Sequence, residues 1–316
     1  DTQPQAKDRP TLIYIHGGGW VLGGLDTHDG LCGQIALEAG IRVISLDYRL
    51  APEHPWPAGP DDVLAAYRAV LDAPDDWGVD PARLAVSGDS AGGNLTAVLM
   101  HDLAGLGLPM PKAQVLIYPA VDSRGETPSM TSLAKAYVLP RDRIDWHMDQ
   151  YVPAVEQRGD PRVSPIFSDR LTGQPQALIL TAGHDALRDD GAMYHQALEA
   201  AGVTSDLHEY SGQIHGFVSA RRAVPQGAQA TTQISNWLRN CCRLSLVSAI
   251  GSSKYTAGSC ATACCSNATS LTCCSSTIAA VCLPTRKCCF SNGEAKLSGV
   301  NQSVRAEGAC SCNCAK

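Results

Sequence analysis

Leu84-Ala85-Val86-Ser87-Gly88-Asp89-Ser90-Ala91-Gly92-Gly93-Asn94 is the stretch that decides the fold. Its first residues are apolar or small, the composition of a short strand buried on both faces. Its last residues open a helix, and the tight turn between the two carries Ser90. Glycines stand two before and two after Ser90 because a sharp strand-to-helix turn leaves no room for Cβ atoms where the backbones approach. The same turn sets Ser90 at the positive end of the helix. G-x-S-x-G alone is a common pattern; a strand before it and a helix after it make it a nucleophile elbow.

Outward from this turn, residues 11 to 210 alternate short apolar or β-branched runs with helical patterns, the signature of a mostly parallel central sheet with helices on both faces. The expected strands are Thr11 to His16, Arg42 to Asp47, Leu84 to Ser87, Ala113 to Tyr118, Ala177 to Thr181 and Ser205 to Tyr210. Between them, Asp61 to Asp72 carries apolar residues at helical spacing behind an acidic first turn, and Asp189 to Ala201 reads the same way and stops at Gly202. A last helix is expected near Thr231 to Asn240. Residues 122 to 165 break the alternation, with one helical piece around Arg141 to Tyr151. Ligands bind such sheets outside the carboxyl ends of the strands, so an insertion there is placed to form a lid; a plain surface excursion is the other reading.

A second glycine run, His16-Gly17-Gly18-Gly19-Trp20, leaves the first strand at the same edge of the sheet. It has neither the G-x-G-x-x-G pattern nor the Lys-Ser or Lys-Thr of a phosphate loop. Successive glycines aim N–H groups inward, and acyl transfer passes through a tetrahedral oxyanion that such donors stabilise. Gly18, Gly19 and Ala91 are the expected oxyanion donors. Nine histidines compete to serve Ser90 as general base: 16, 28, 54, 101, 147, 184, 195, 208 and 215. His208 lies in a strand, His101 and His195 on helices, and His16 is better placed to brace its own glycine loop. His215, in Ser211-Gly212-Gln213-Ile214-His215-Gly216-Phe217, follows the last strand and can swing over the sheet edge. The orienting carboxylate belongs in the loop after the preceding strand, which offers Asp185, Asp189 and Asp190. Helix capping and dipole compensation account for the latter two. Asp185 completes the order Ser90, Asp185, His215 expected of this fold.

The 316 residues carry a net charge of -6, with no basic cluster for nucleic acid or anionic membrane. No apolar run approaches the roughly 18 residues that cross a bilayer, and Asp1 opens a polar segment without a signal-peptide pattern. A soluble, cytoplasmic protein is expected. Of the 14 cysteines only Cys32 precedes residue 240, and the last 76 residues hold the other 13. That tail is net +5, which leaves -11 for the body. The expected division is a hydrolase domain over 1–240 and a Cys/Ser-rich tail over 241–316, unstructured or foreign to the rest. A disulfide-rich or metal-binding module is the other reading, against which stand the odd cysteine count and the absence of histidine and of any C-x₂-C pair.

His16-Gly17-Gly18-Gly19-Trp20, Tyr48-Arg49-Leu50-Ala51-Pro52-Glu53-His54-Pro55 and Gly88-Asp89-Ser90-Ala91-Gly92-Gly93-Asn94 together resemble the hormone-sensitive-lipase-like esterases, whose bacterial members are called family IV. Asp185-Ala186-Leu187-Arg188-Asp189 resembles that family's acid loop, with Ala where the family has Pro, and Ile214-His215-Gly216-Phe217 resembles its histidine loop. The resemblance covers about residues 8 to 240. It implies an α/β-hydrolase fold, carboxylesterase action on short to medium acyl esters through an acyl-enzyme, no cofactor or metal, a small-molecule ester as partner, and a monomer or dimer. It also implies two strands and part of a lid before the His16 strand, whereas this chain starts at Asp1. The expectation is therefore that Arg42 to Asp47 forms an open edge, with poor solubility or weak activity as the consequence. Two rival functions share these residues: a non-catalytic small-molecule receptor on the same fold, against which His215 argues, and an amidase or lactonase, since the three residues specify only acyl transfer.

Overall fold

The computed structural model describes residues 9–242, together with the backbone of a short antiparallel pair, Glu294–Ala295 with Val304–Arg305. The remaining tail, where the question of a disulfide or metal module falls, lies outside the described residues.

Residues 9–242 form one six-stranded parallel sheet flanked by helices. In chain order the elements are β1 (Arg9–Ile15), α1 (Leu25–Ala39), β2 (Arg42–Leu46), α2 (Ala58–Asp72), α3 (Pro74–Trp77), β3 (Val79–Asp89), α4 (Ala91–Leu106), β4 (Ala113–Ile117), α5 (Pro128–Ser132), α6 (Arg141–Tyr151), β5 (Gln176–His184), α7 (Arg188–Ala200), β6 (Ser205–Ile214) and α8 (Pro225–Cys241). The sheet order is β2-β1-β3-β4-β5-β6. The chain thus leaves β1 toward one edge and returns to β1's other side at β3. That reversal is the switch point at which open α/β sheets place their ligands.

Period-two alternation builds both faces. Leu12, Tyr14, Ala85, Val115 and Ile117 pack toward α1 and α8 through Leu31, Ile35, Ile234 and Leu238. Ile13, Ile15, Leu84 and Val86 pack toward α2 and α4 through Tyr67, Val70, Leu95 and Leu99. β1, the second half of β3, β4 and β5 are covered on both faces and almost wholly apolar, which makes their positions readable in the sequence; the edge strands β2 and β6 are partly or largely exposed.

Four boundaries depart from the sequence expectation. β3 begins at Val79, five residues early, with its pairing jumping from Arg9↔Val79 to Thr11↔Leu84; Pro81 falls in the gap, where it has no N–H to give a ladder. β5 and β6 run on to His184 and Ile214, which pair with each other, so Ser211 to Ile214 is strand rather than loop. α8 extends to Cys241, and Cys242 is buried in the core beside Leu238, so the first two cysteines of the tail belong to the body. The periodicity does not single out α1, whose inner face mixes His28 and Cys32 with Leu31 and Ile35. β2 lies at one edge of the sheet, as expected. No helix among the described residues is long and apolar enough to cross a membrane.

The insertion of residues 122–165 contains α5 and α6 and is fixed at both roots. Asn94 Nδ2 donates to the carbonyls of Ala120 (2.8 Å) and Val163 (2.9 Å). Asp190 is fully buried, and its Oδ2 accepts the N–H groups of Val121 (2.9 Å) and Asp122 (3.1 Å) while Thr127 Oγ1 donates to its Oδ1 (3.2 Å). Asp190 therefore anchors the insertion, a task beyond the dipole compensation expected from its position in α7. Burial outweighs these donors and pushes its carboxyl up to about 7. A carboxyl raised in the folded state favours folding below its unfolded value, and that contribution is lost as pH rises through the folded value. Asp190→Asn keeps an acceptor and an amide donor at the same place. The variant is expected to remove a stability loss that the wild type shows between about pH 4 and pH 7, measured as urea midpoints across that range.

Candidate active site

Four backbone segments converge at the carboxyl ends of β1, β3, β5 and β6. The β1–β3 register pairs Ile15 with Gly88, so the chain that leaves β1 as the glycine run emerges beside the turn that carries Ser90. The approach is close. A Cβ on Gly92 would lie 2.0 Å from the Ile15 carbonyl oxygen, and one on Gly88 would lie 2.2 Å from that of Gly92. Only glycine fits at either position. Ser90 takes φ 56, ψ -118, a strained conformation for a residue with a Cβ. It is held there by its N–H donating to the Ile117 carbonyl (2.8 Å) and by its own carbonyl accepting from Asn94 N–H (3.0 Å).

The structure brings Ser90, Asp185 and His215 together. His215 Nε2 lies 2.9 Å from Ser90 Oγ, and His215 Nδ1 lies 2.6 Å from Asp185 Oδ2. A carboxylate only accepts, so Nδ1 carries the proton and Nε2 is left to accept from the serine hydroxyl. Asp185 is completely buried, and its Oδ1 accepts from Leu187 N–H at 3.0 Å. The terminal pair His184↔Ile214 sets this geometry, because Asp185 and His215 are the next residues of two hydrogen-bonded strands. Asp189 instead accepts from Ser129 N–H in the insertion and from Arg188.

Gly18 and Gly19 line the cavity in front of Ser90. Their N–H groups meet no acceptor among the described residues, while the Gly18 carbonyl closes a turn by accepting from Val21 (3.2 Å) and Leu22 (2.9 Å). Ala91 is the first residue of α4, where a helix leaves N–H groups without internal partners. His16 braces the run as expected, buried and stacked on Tyr48 with its Nδ1 2.8 Å from the Gly17 carbonyl.

Two residues given no role in the sequence reading hold this arrangement. Asp89, next to Ser90 and 5% exposed, accepts from Tyr14 Oη (2.9 Å) and Gly17 N–H (3.1 Å) and lies 3.1 Å from His28 Nε2. Burial by itself would raise the Asp89 carboxyl, but His28, Tyr14 and Gly17 outweigh it and bring it below its ordinary value. Burial likewise opposes charge on His28, and Asp89 reverses this so that the imidazole is raised. The signal for Asp89 was a carboxylate at the end of a strand otherwise buried on both faces.

The cavity measures about 290 Å³. Its floor is Ser90, His215 and the glycine run; its roof is the insertion, through Val138, Leu139, Ile144, His147 and Met148. Trp20, stacked on Tyr151 at 4.5 Å, joins the loop to α6.

A family model described as the alpha/beta hydrolase fold matches residues 12–219. The chain is 44% identical over 236 residues to the carboxylic ester hydrolase LipN of Mycobacterium tuberculosis, covering 73% of this chain and 63% of LipN; it thus spans less than two thirds of that relative. It is 45% identical over 233 residues to carboxylesterase NlhH of the same species, covering 72% of this chain and 73% of NlhH. Among solved structures, a hyperthermophilic esterase from the archaeon Pyrobaculum calidifontis superposes with TM-score 0.73 at 40% identity, over 75% of this chain and 78% of that one.

Replacing Asp89 by Ala leaves His28 without its counter-charge and Gly17 N–H without an acceptor. The expected cost is about 3–5 kcal/mol of folding stability, read from the shift in urea midpoint. A loss below about 1 kcal/mol would contradict the bracing role.

Proposed function

The chain belongs to the α/β-hydrolase fold family, on its hormone-sensitive-lipase-like branch, and from that premise we propose that it is a carboxylesterase acting through Ser90, His215 and Asp185. The observation that carries this reading is the unbroken series of contacts from Ser90 Oγ to His215 at 2.9 Å and from His215 to Asp185 at 2.6 Å, opening onto a cavity that holds the Gly18 and Gly19 N–H groups.

In this mechanism Ser90 Oγ attacks the ester carbonyl as its proton passes to His215 Nε2. Asp185 holds the imidazole and stabilises its charged form. The carbonyl oxygen becomes an oxyanion that accepts from the N–H groups of Gly18, Gly19 and Ala91. Each such donor is worth about 10²–10³ in rate, because it is set in place before charge develops. The tetrahedral intermediate then expels the alcohol, which takes the proton from His215. Water attacks the acyl-enzyme by the same route and releases the acid. A cavity of about 290 Å³ suits short to medium acyl groups, and its apolar roof offers them Val138, Leu139, Ile144 and Met148. The similarity to LipN and NlhH, whose names describe ester hydrolysis, supports an ester over an amide or lactone, and the seated His215 supports catalysis over a receptor role.

Ser90→Ala is expected to lower kcat on p-nitrophenyl esters from acetate to decanoate by about 10⁴–10⁶-fold. His215→Ala should give a comparable loss, with no additive effect in the double variant. Equal turnover by wild type and Ser90→Ala would remove the assignment.

A further inference from the structure

The polar groups that line the cavity are unequally satisfied. Three carboxylates reach it besides the triad, and each has a cation: Asp89 has His28 (3.1 Å), Asp122 has Arg124 (3.2 Å) and Asp145 has Arg141 (2.9 Å). Arg143 lines the same cavity with no carboxylate within ion-pairing distance among the described residues; its guanidinium Nη1 donates only to the Val138 carbonyl at 3.2 Å. One turn further along α6 stands His147, 8% exposed, with no hydrogen-bond partner for its Nδ1. A buried polar atom left in this way costs free energy unless something completes it. The imidazole packs on the glycine run closely enough that a Cβ on Gly19 would meet it at 2.6 Å.

Spacing on the helix explains how both reach the site. Residues four apart lie on one face, so α6 offers the cavity two parallel rows, Ile144 with Met148 and Arg143 with His147. The first row is apolar. The second is cationic at its outer end and able to donate at its inner end, beside the N–H groups of Gly18 and Gly19.

We propose that the Arg143–His147 row is a subsite for a carboxylate carried by the ester substrate, so that the enzyme prefers esters bearing an anionic group at the end of one arm. Guanidinium binds a carboxylate through paired charge-assisted hydrogen bonds. With every acidic wall group already paired to a cation, nothing in the cavity competes for Arg143. Burial, followed by the nearby charges of Arg143 and His215, lowers the pKa of His147, which keeps the ring neutral and available as a hydrogen-bond donor beside the anion. The proposal rests on the reading of Ser90 as nucleophile and adds the substrate class.

The experiment compares kcat/KM for matched charged and neutral esters. Mono-p-nitrophenyl adipate against p-nitrophenyl hexanoate tests a carboxylate on the acyl arm; 4-acetoxybenzoate against 4-acetoxybenzamide tests it on the alcohol arm. In one of the two pairs, Arg143→Gln should lower the charged-to-neutral ratio about tenfold relative to wild type, Arg143→Lys should restore part of it, since Lys keeps the charge but not the paired hydrogen bonds, and His147→Phe should lower it less. Added salt should erode the wild-type ratio. A ratio unmoved by Arg143→Gln in both pairs overturns the proposal. Using the ratio makes a general folding defect cancel, and Ser90→Ala separates the two claims: if it abolishes turnover while the ratios stay fixed, only the carboxylate subsite fails.

Discussion

The structure depends on one close approach of backbones, where the Ile15 carbonyl at the end of β1 meets Gly92 at the start of α4. At that distance no side chain is possible at Gly92, and the placing of the serine and the glycine run follows from the contact. It lets β3 end one residue before a left-handed Ser90, so the serine stands above the sheet edge instead of continuing a strand. It brings the glycine run out of β1 next to that serine. The strain at such a residue is of order 1–3 kcal/mol, and it persists because β4 takes the Ser90 N–H and the first turn of α4 takes its carbonyl. The location is also the topological reversal of the sheet, where β1 and β3 are adjacent in space but separated by the whole β2–α2 excursion.

Two buried aspartates near this point show how the same residue type is put to opposite uses. Asp89 lies against His28 and keeps its charge despite burial, because a cation and two further donors outweigh the desolvation. Asp190 has comparable hydrogen bonds but, among the described residues, no cation beside it, and burial prevails. The first makes a charged clamp between the elbow, the glycine run and α1; the second makes a near-neutral pin between α7 and the roots of the insertion. Between these two carboxylates the difference is His28, which offers Asp89 both a hydrogen bond and an opposite charge.

That difference also explains what was legible in the sequence. The central strands and the elbow were readable because burial on both faces writes itself as apolar runs, and because the Ile15 approach admits only glycine at two fixed positions. Ser90, Asp185 and His215 were legible as the residues just beyond strand ends in a fixed order. The bracing residues were not. Asp89 and His28 are 61 positions apart in sequence, and each alone is an ordinary polar residue whose partner is supplied only when α1 packs beside the end of β3. The strand extensions to His184 and Ile214 were hidden for a similar reason: Gly183 and Gly212 read as loop, yet Gly183 is there because the Ser211 backbone crosses it, with 2.1 Å between a built Cβ and the Ser211 oxygen. Asp190 was given a dipole task because its partners, Val121 and Asp122, lie about 70 residues earlier.

The division of labour between sheet and insertion follows from these constraints. Ser90, Asp185, His215 and the glycine run sit on strand ends whose register cannot shift without exposing the core, so their geometry is fixed by the fold itself. The insertion is fixed at its roots by Asn94 and Asp190 and at α5 by Ser129, whose Oγ donates to the Ala186 carbonyl (2.7 Å) and whose N–H donates to Asp189 (2.8 Å). α6 is held over the cavity by Trp20 on Tyr151 and by Trp56 N–H donating to the Tyr151 carbonyl (2.9 Å), and of the side chains it turns inward Met148 also belongs to the core. Arg143 is exposed and outside that core, so its side chain can change without disturbing the elbow. On the proposed reading, the residues that break the ester bond are fixed by the strand ends, while α6 supplies the side chains facing the rest of the substrate.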